Sequence, residues 1–188
     1  KRRQASFRSK FGVKWNVSCP NVGLDTKKLV TEAKSTLEAG SPLGVPQVVK
    51  FSVEAEPEDV AEVATHPECD AICIGNTVRF GKLPHLINWV RIFGTDDPKQ
   101  SPLAKYGGGG FSGPPLWLVL NCWLYAYRKI DPVTPISACG GIFSAKDATS
   151  LIERWNVNAI ELGTVATHRP WRVQPIIKSV NSYFKTRG

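Results

Sequence analysis

Residues 133–155 read VTPISACGGIFSAKDATSLIERW, a strand, a turn and a helix in immediate succession. The apolar run at 133–138 predicts a buried strand, and Cys139-Gly140-Gly141 follows it as a turn. Ser144, with Asp147 three residues later, is a capping-box pattern that predicts a helix continuing to Trp155. Units of this kind build parallel α/β folds, because parallel strands must be joined by a crossover.

The same alternation extends on both sides of this unit. Further strands are predicted at residues 12–17, 46–53, 71–74 and 159–162. Helices are predicted at residues 25–39, from Pro57 onward, at 116–129 and at about 170–184. Residues 78–113 are predicted to be irregular and end in a glycine run, and loops of this length inside a domain are usually functional.

Five strand-helix units leave two architectures open. A closed (βα)8 barrel needs eight units and typically about 250 residues. An open, doubly wound sheet of five strands also fits 188 residues. The position of the chemically useful residues must decide between the two.

Composition predicts a single domain over residues 1–188. The chain is 42% hydrophobic and 21% charged, as expected for a globular domain with a core. Because no run approaches the roughly 18 apolar residues of a membrane helix and no signal peptide is evident, we expect a soluble cytoplasmic protein without a membrane partner. Of 24 lysines and arginines, five lie in residues 1–10. Phe7 is the one aromatic residue among them and no nucleic-acid motif follows, which favours a solvated surface over nucleic-acid binding.

The cysteine pattern argues against a zinc site and a disulfide scaffold. No pair has CxxC spacing and the count is odd, which favours a reducing compartment. We therefore predict no metal site. The five cysteines are Cys19, Cys69, Cys73, Cys122 and Cys139.

Polar residues follow several predicted strands. NVSCPN at residues 16–21 places the Cys19 thiol between carboxamides on a turn that Pro20 stiffens. A lone cysteine is commonly a buried small apolar residue, but the end of a strand is where parallel α/β proteins display reactive groups. Asn76-Thr77 ends another strand. These two residues are either turn residues or hydrogen-bond donors to a substrate.

Lys50 and two glycine sites invite a structural and a functional interpretation. Lys50 lies inside an apolar strand, where it either extends outward to solvent or points inward and requires an anion. Gly140-Gly141 and Gly163-Thr164 follow the last two strands, where they form simple turns or bind phosphate. Two such sites on adjacent units favour phosphate, as in (βα)8 barrels.

In this order, the motifs resemble the dihydroorotate dehydrogenase family of FMN-dependent (βα)8 barrels. The resemblance extends over residues 12–184. It rests on NVSCPN, VVKFS, IGNT, GGGGFSGPPL, ISACGGI and IELGTV. It implies an α/β barrel that is incomplete here, with about five of its βα units. The family's first three βα units have no counterpart in this sequence, and there is no methionine, so we expect the C-terminal portion of such a barrel.

The resemblance implies a role for each matched residue. Cys19 would be the base that removes the C5 proton of dihydroorotate, while the C6 hydride passes to FMN. The substrate would be held by Asn16, Asn21, Asn76 and Thr77. The FMN would be held by Lys50, Ser112, Gly113, Cys139, Gly140, Gly141, Gly163 and Thr164.

A cysteine base resembles the class 1 enzymes that pass electrons to fumarate or NAD. The implied partners are the dihydroorotate/orotate pair and either a second copy of the chain or a separate electron-transfer subunit. Two alternatives stay open at this point. One is a dihydropyrimidine dehydrogenase-type flavin domain, although no cysteine lies between Cys19 and Cys69 where that family carries its own. The other is a non-catalytic remnant that binds FMN or a partner.

Overall fold

A parallel five-stranded sheet forms the centre of the molecule. The computed structural model describes residues 9–17, 26–106 and 108–186. Its strands are β1 (Val13–Asn16), β2 (Gln47–Phe51), β3 (Ala71–Ile74), β6 (Ile136–Cys139) and β7 (Ala159–Glu161). They lie in the order β1-β2-β3-β6-β7, and all four strand pairs are parallel.

The crossovers between these strands are helical. The helices are α1 (Thr26–Gly40), α2 (Pro57–Ala64), α3 (Trp89–Phe93), α4 (Leu116–Ile130), α5 (Ala145–Trp155), α6 (Thr164–His168) and α7 (Val173–Lys185). Neighbouring helices pack in chain order, α1 on α2, α2 on α4, α4 on α5 and α5 on α7. Sequential strands with sequential helix contacts place the helix layer on one face of the sheet. This is the arrangement of a barrel and not of a doubly wound sheet, which has helices on both faces.

The helix layer buries one face of the sheet. Strand residues on this outer face are fully excluded from solvent: Val49, Phe51, Ile72, Ile74, Ile136 and Ala138. They are aligned in register across β2, β3 and β6. Since side chains alternate along a strand, the intervening residues point to the opposite, inner face. These include Lys50, Cys73 and Ser137, which are also in register.

The inner face is concave. Lys14 on β1 and Glu161 on β7 form an ion pair of 2.5 Å, although these strands are the two edges of the sheet. In a flat sheet the edge strands would be about 19 Å apart, because neighbouring strands are about 4.8 Å apart. A lysine and a glutamate cannot bridge that distance, so the sheet is strongly curved.

Residues 78–106 and 108–113, within the stretch predicted to be irregular, form an ordered excursion between β3 and α4. Two short strands, β4 (Val78–Arg79) and β5 (Gly110–Phe111), pair antiparallel, and α3 lies between them in the chain. Four aromatic rings form a small core of their own, with centroid separations from 4.8 to 6.0 Å. They belong to Phe80, Trp89, Phe93 and Phe111.

The predicted strand at 133–138 is wrong at its start, since β6 begins at Ile136. Asp131 accepts hydrogen bonds from the backbone N–H groups of Val133 and Thr134, which hold this stretch in a turn. Pro135 has no N–H to donate to a sheet. The final predicted helix is also corrected, because 170–172 form a 3-10 turn and α7 begins at Val173.

Helix α4 provides a direct test of the core. Leu124 is completely buried and Leu118, on the same helix, is 51% exposed. We expect Leu124→Ala to lower the free energy of unfolding by about 2–5 kcal/mol, through lost burial and the cavity left behind. Leu118→Ala is the matched control and should change it by no more than about 0.5 kcal/mol. Urea unfolding followed by circular dichroism measures both, and equal effects would contradict this packing.

Candidate functional site

A cavity of about 190 Å³ opens at the carboxyl ends of the strands. Its walls come from the end of β2, the turns after β3 and β5, the end of β6 with its following turn, and the end of β7 with the start of α6. Carboxyl ends are where parallel α/β folds place their ligands, because the loops that follow the strands converge there.

Ten of the thirteen residues proposed from the sequence line this cavity. Strands far apart in the sequence bring them together, since β2 and β7 are separated by two intervening strands. The ten are Lys50, Asn76, Thr77, Ser112, Gly113, Cys139, Gly140, Gly141, Gly163 and Thr164.

The other three proposed residues are not among these ten. Cys19 and Asn21 lie outside the described residues. Asn16 ends β1 and is in register with Lys50, but in the described part of the chain it is exposed and does not line the cavity.

The glycines at the cavity differ in what a side chain at each position would contact. A Cβ on Gly141 would lie 2.1 Å from the backbone nitrogen of Trp117, and its φ of +68° also favours glycine, so α4 requires this residue for packing. A Cβ on Gly75 would likewise clash with the backbone carbonyl oxygen of Cys139. In contrast, a Cβ on Gly163 would meet no atom of the described residues within 4 Å, because the position faces open space.

Asn76 and Thr77 are held by the excursion. The Thr77 N–H donates to the Asn76 side-chain oxygen at 2.9 Å. Two residues further on, the Arg79 backbone N–H and guanidinium both donate to Glu54, a buried carboxylate after β2. This anchor fixes the turn after β3 relative to the end of β2, where Lys50 lies.

Glu161 and Lys14 are functional-site candidates that the motifs did not identify. The Glu161 side chain lines the cavity, and its Oε1 accepts hydrogen bonds from Lys14 Nζ, Ser137 Oγ and Cys73 Sγ. Burial acts to raise the pKa of Glu161, but these hydrogen bonds outweigh it and hold the pKa below its ordinary value. The signal in the sequence was a charged residue inside an apolar strand, as for Lys50.

The buried thiols are held protonated. Burial, together with the nearby Glu161 carboxylate, raises the pKa of Cys73 to about 12. Burial also raises the pKa of Cys139, against the positive charge of Lys50. Lys50 lines the cavity together with Cys139 and is in register with Cys73, so it belongs to the concave face of the sheet and not to the helix layer.

Residues 9–17, 26–106 and 108–186 hold neither a metal-binding cluster nor a membrane-spanning helix. This part of the chain contains no group of three or more His, Cys, Asp and Glu side chains arranged to bind a metal ion. None of its helices is long and apolar enough to cross a membrane.

Comparisons with family models, curated relatives and solved structures all point to the same family. The family model for dihydroorotate dehydrogenase matches residues 12–184. Two curated relatives are the catalytic subunits of dihydroorotate dehydrogenase B (NAD(+)) from Thermotoga petrophila and Thermotoga maritima. Each is 30% identical to the chain over 175 residues, covering 89% of the chain and 57% of the relative.

Solved structures give the same fold. Dihydroorotate dehydrogenase from Eimeria tenella, in complex with ferulenol, matches with a TM-score of 0.61 at 20% identity. The ligand-free type from the same organism matches with a TM-score of 0.60 at 21% identity. Both matches cover 93% of this chain, but 50% and 52% of the solved chains. The chain therefore spans about half the length of the proteins it resembles.

Thiol reactivity tests the described site. Alkylation proceeds through the thiolate, so at about pH 8 we expect iodoacetamide to modify the exposed Cys122 rapidly. Cys73 is buried with a pKa of about 12, and Cys69 has a pKa raised to about 11 by burial, so both should react far more slowly. Peptide mass spectrometry over time measures each rate. Modification of Cys73 as fast as Cys122 would contradict the placement of Cys73 beneath Glu161.

Proposed function

The chain belongs to the dihydroorotate dehydrogenase family, and we propose that it supplies one wall of an FMN site for the oxidation of dihydroorotate to orotate. The observation that carries the proposal is that ten of the thirteen residues predicted from the sequence line one cavity. Motifs spread over more than 110 residues, from Lys50 to Thr164, converge at the edge of the sheet where ligands bind.

The residues of the wall fit a flavin mononucleotide. Lys50 provides a positive charge at the end of β2, where it would stabilise negative charge on the ring system. Gly163 faces open space, so backbone N–H groups there can be approached closely by a phosphate, together with those of Gly140 and Gly141. Ser112 and Gly113, on the remaining side of the cavity, would contact the ring or the ribityl chain.

The substrate would lie between this wall and the segment after β1. Bound FMN would accept the hydride from C6 of dihydroorotate. Cys19, three residues after Asn16, would remove the C5 proton, and its thiol must become thiolate or face an activated acid to do so. Asn76 and Thr77, with Asn16 and Asn21, would donate hydrogen bonds to the pyrimidine and its carboxylate.

We propose that residues 1–188 are the C-terminal portion of a larger barrel. The cavity of about 190 Å³ is below the roughly 300–1,000 Å³ of ligand pockets, as expected if further walls come from elsewhere. Both edges of the sheet, β1 and β7, lack a neighbouring strand among the described residues. A second observation points the same way, since the chain covers 57% of the Thermotoga relatives.

A partner subunit is proposed by analogy. The Thermotoga relatives are named as catalytic subunits of an NAD-linked enzyme. A separate electron-transfer subunit is therefore the proposed acceptor partner, and a second copy of the chain is the alternative.

The visible spectrum tests the function. We expect the purified chain to bind FMN, and anaerobic dihydroorotate to bleach the flavin absorption. Cys19→Ala should retain FMN but slow the bleaching by about 100-fold or more, as loss of a general base does. Cys122→Ala, which removes an exposed thiol on α4, is the control and should behave as the wild type. FMN binding without bleaching would favour a non-catalytic remnant, and failure to take up FMN would refute the proposal that residues 1–188 hold the cofactor.

Lys50→Met tests the flavin wall separately from the base. Loss of a charged hydrogen-bonding group should weaken FMN binding by about tenfold or more. Lys99→Met, at an exposed position on the excursion that does not line the cavity, removes the same charge and should leave binding unchanged. Quenching of FMN fluorescence during titration measures both dissociation constants. Equal weakening in the two variants would show that Lys50 acts only through net charge.

A further inference from the structure

The inner face of the sheet carries a polar side chain from every strand. Lys14, Lys50, Cys73, Ser137 and Glu161 come from β1, β2, β3, β6 and β7 respectively. Glu161 Oε1 is the common acceptor, at 2.5 Å from Lys14 Nζ, 2.7 Å from Ser137 Oγ and 3.2 Å from Cys73 Sγ. One carboxylate oxygen thus joins four of the five strands.

The Lys14–Glu161 contact differs from an ordinary surface ion pair. Glu161 is held by two further donors, and its side chain is 27% exposed, so less entropy is lost in fixing it than for an isolated exposed pair. Burial acts to lower the pKa of Lys14, but the bond to Glu161 and nearby charges raise it instead. Both groups therefore remain charged around neutral pH, and the contact persists.

Each of the two residues lies two positions before a residue of the proposed site. Glu161 precedes Gly163 by two residues on β7, and Lys14 precedes Asn16 by two residues on β1, whose following segment carries Cys19. The contact also requires curvature, because the edge strands of a flat sheet would be about 19 Å apart. Loss of the contact would remove this link between the two edge strands and allow their ends to move apart.

We propose that Lys14 and Glu161 form a clasp that fixes the separation of β1 and β7, and thereby sets the position of the end of β1 relative to the cofactor wall. The clasp consists of these two side chains and the Ser137 and Cys73 donors. Its consequence for FMN and substrate rests on the function proposed above, whereas the coupling of the two edge strands does not. Lys14 and Glu161 are positioning residues in this proposal.

A double-mutant cycle tests the clasp itself in the full chain. We compare Lys14→Met, Glu161→Gln, the two combined, and the exchanged pair Lys14→Glu with Glu161→Lys. Each single change should lower the equilibrium constant for folding by about fivefold, and the combined change should cost little more. The exchanged pair should recover most of the loss. Additive single effects in urea unfolding would overturn the clasp.

FMN affinity separates positioning from general stability. Under conditions where every variant is folded, Lys14→Met and Glu161→Gln should each weaken FMN binding several-fold, and the exchanged pair should restore it. The matched control is the Lys34–Glu62 ion pair of 2.6 Å, which joins α1 and α2 on the outer layer. Lys34→Met and Glu62→Gln should leave FMN affinity unchanged. Equal losses in both sets, or none in the clasp variants, would overturn the positioning role.

The two proposals fail in different ways. If the wild-type chain takes up no FMN, its proposed role in holding the cofactor is refuted, and the double-mutant cycle still decides whether β1 and β7 are coupled. If the wild type binds FMN and the clasp variants bind it equally well, the function stands and the positioning role is refuted.

Discussion

Burial of one face of the parallel sheet is the constraint on which the rest of the structure depends. The outer-face residues of β2, β3 and β6 are fully excluded from solvent by the helix layer. Since successive side chains on a strand point to opposite faces, placing Val49, Ile72 and Ile136 outward forces Lys50, Cys73 and Ser137 inward. The polar inner face is therefore a direct consequence of how the core is built.

The polar groups of the inner face need hydrogen-bond partners, and the Glu161 carboxylate is the common acceptor for three of them. A carboxylate beside buried thiols would be costly without donors. Lysine, serine and cysteine from three other strands supply them, and the cavity at the carboxyl ends opens directly beside this network. Structural hydrogen bonding and the proposed chemistry thus share the same residues.

Sequence patterns predicted the elements whose signals are local. Strand β3 was predicted with its observed bounds. The ends of β2 and α4 were each predicted to within two residues. The errors have physical causes. The start of the strand predicted at 133–138 is held in a turn by hydrogen bonds to the Asp131 side chain. The short strands β4 and β5 pair across more than 30 residues. Two-residue strands carry no periodicity that a sequence pattern can detect.

By itself, the sequence determined the family, the βα alternation and the residue types of the site, because motif order and hydrophobic period are properties of the chain. Only the tertiary structure decided that the sheet is curved with its helices on one face, that Lys50 points inward, and that Gly141 serves packing while Gly163 faces open space. It alone also joined Lys14 to Glu161, 147 residues apart. Such a contact depends on curvature, which arises from the packing of the whole sheet and is encoded in no single segment.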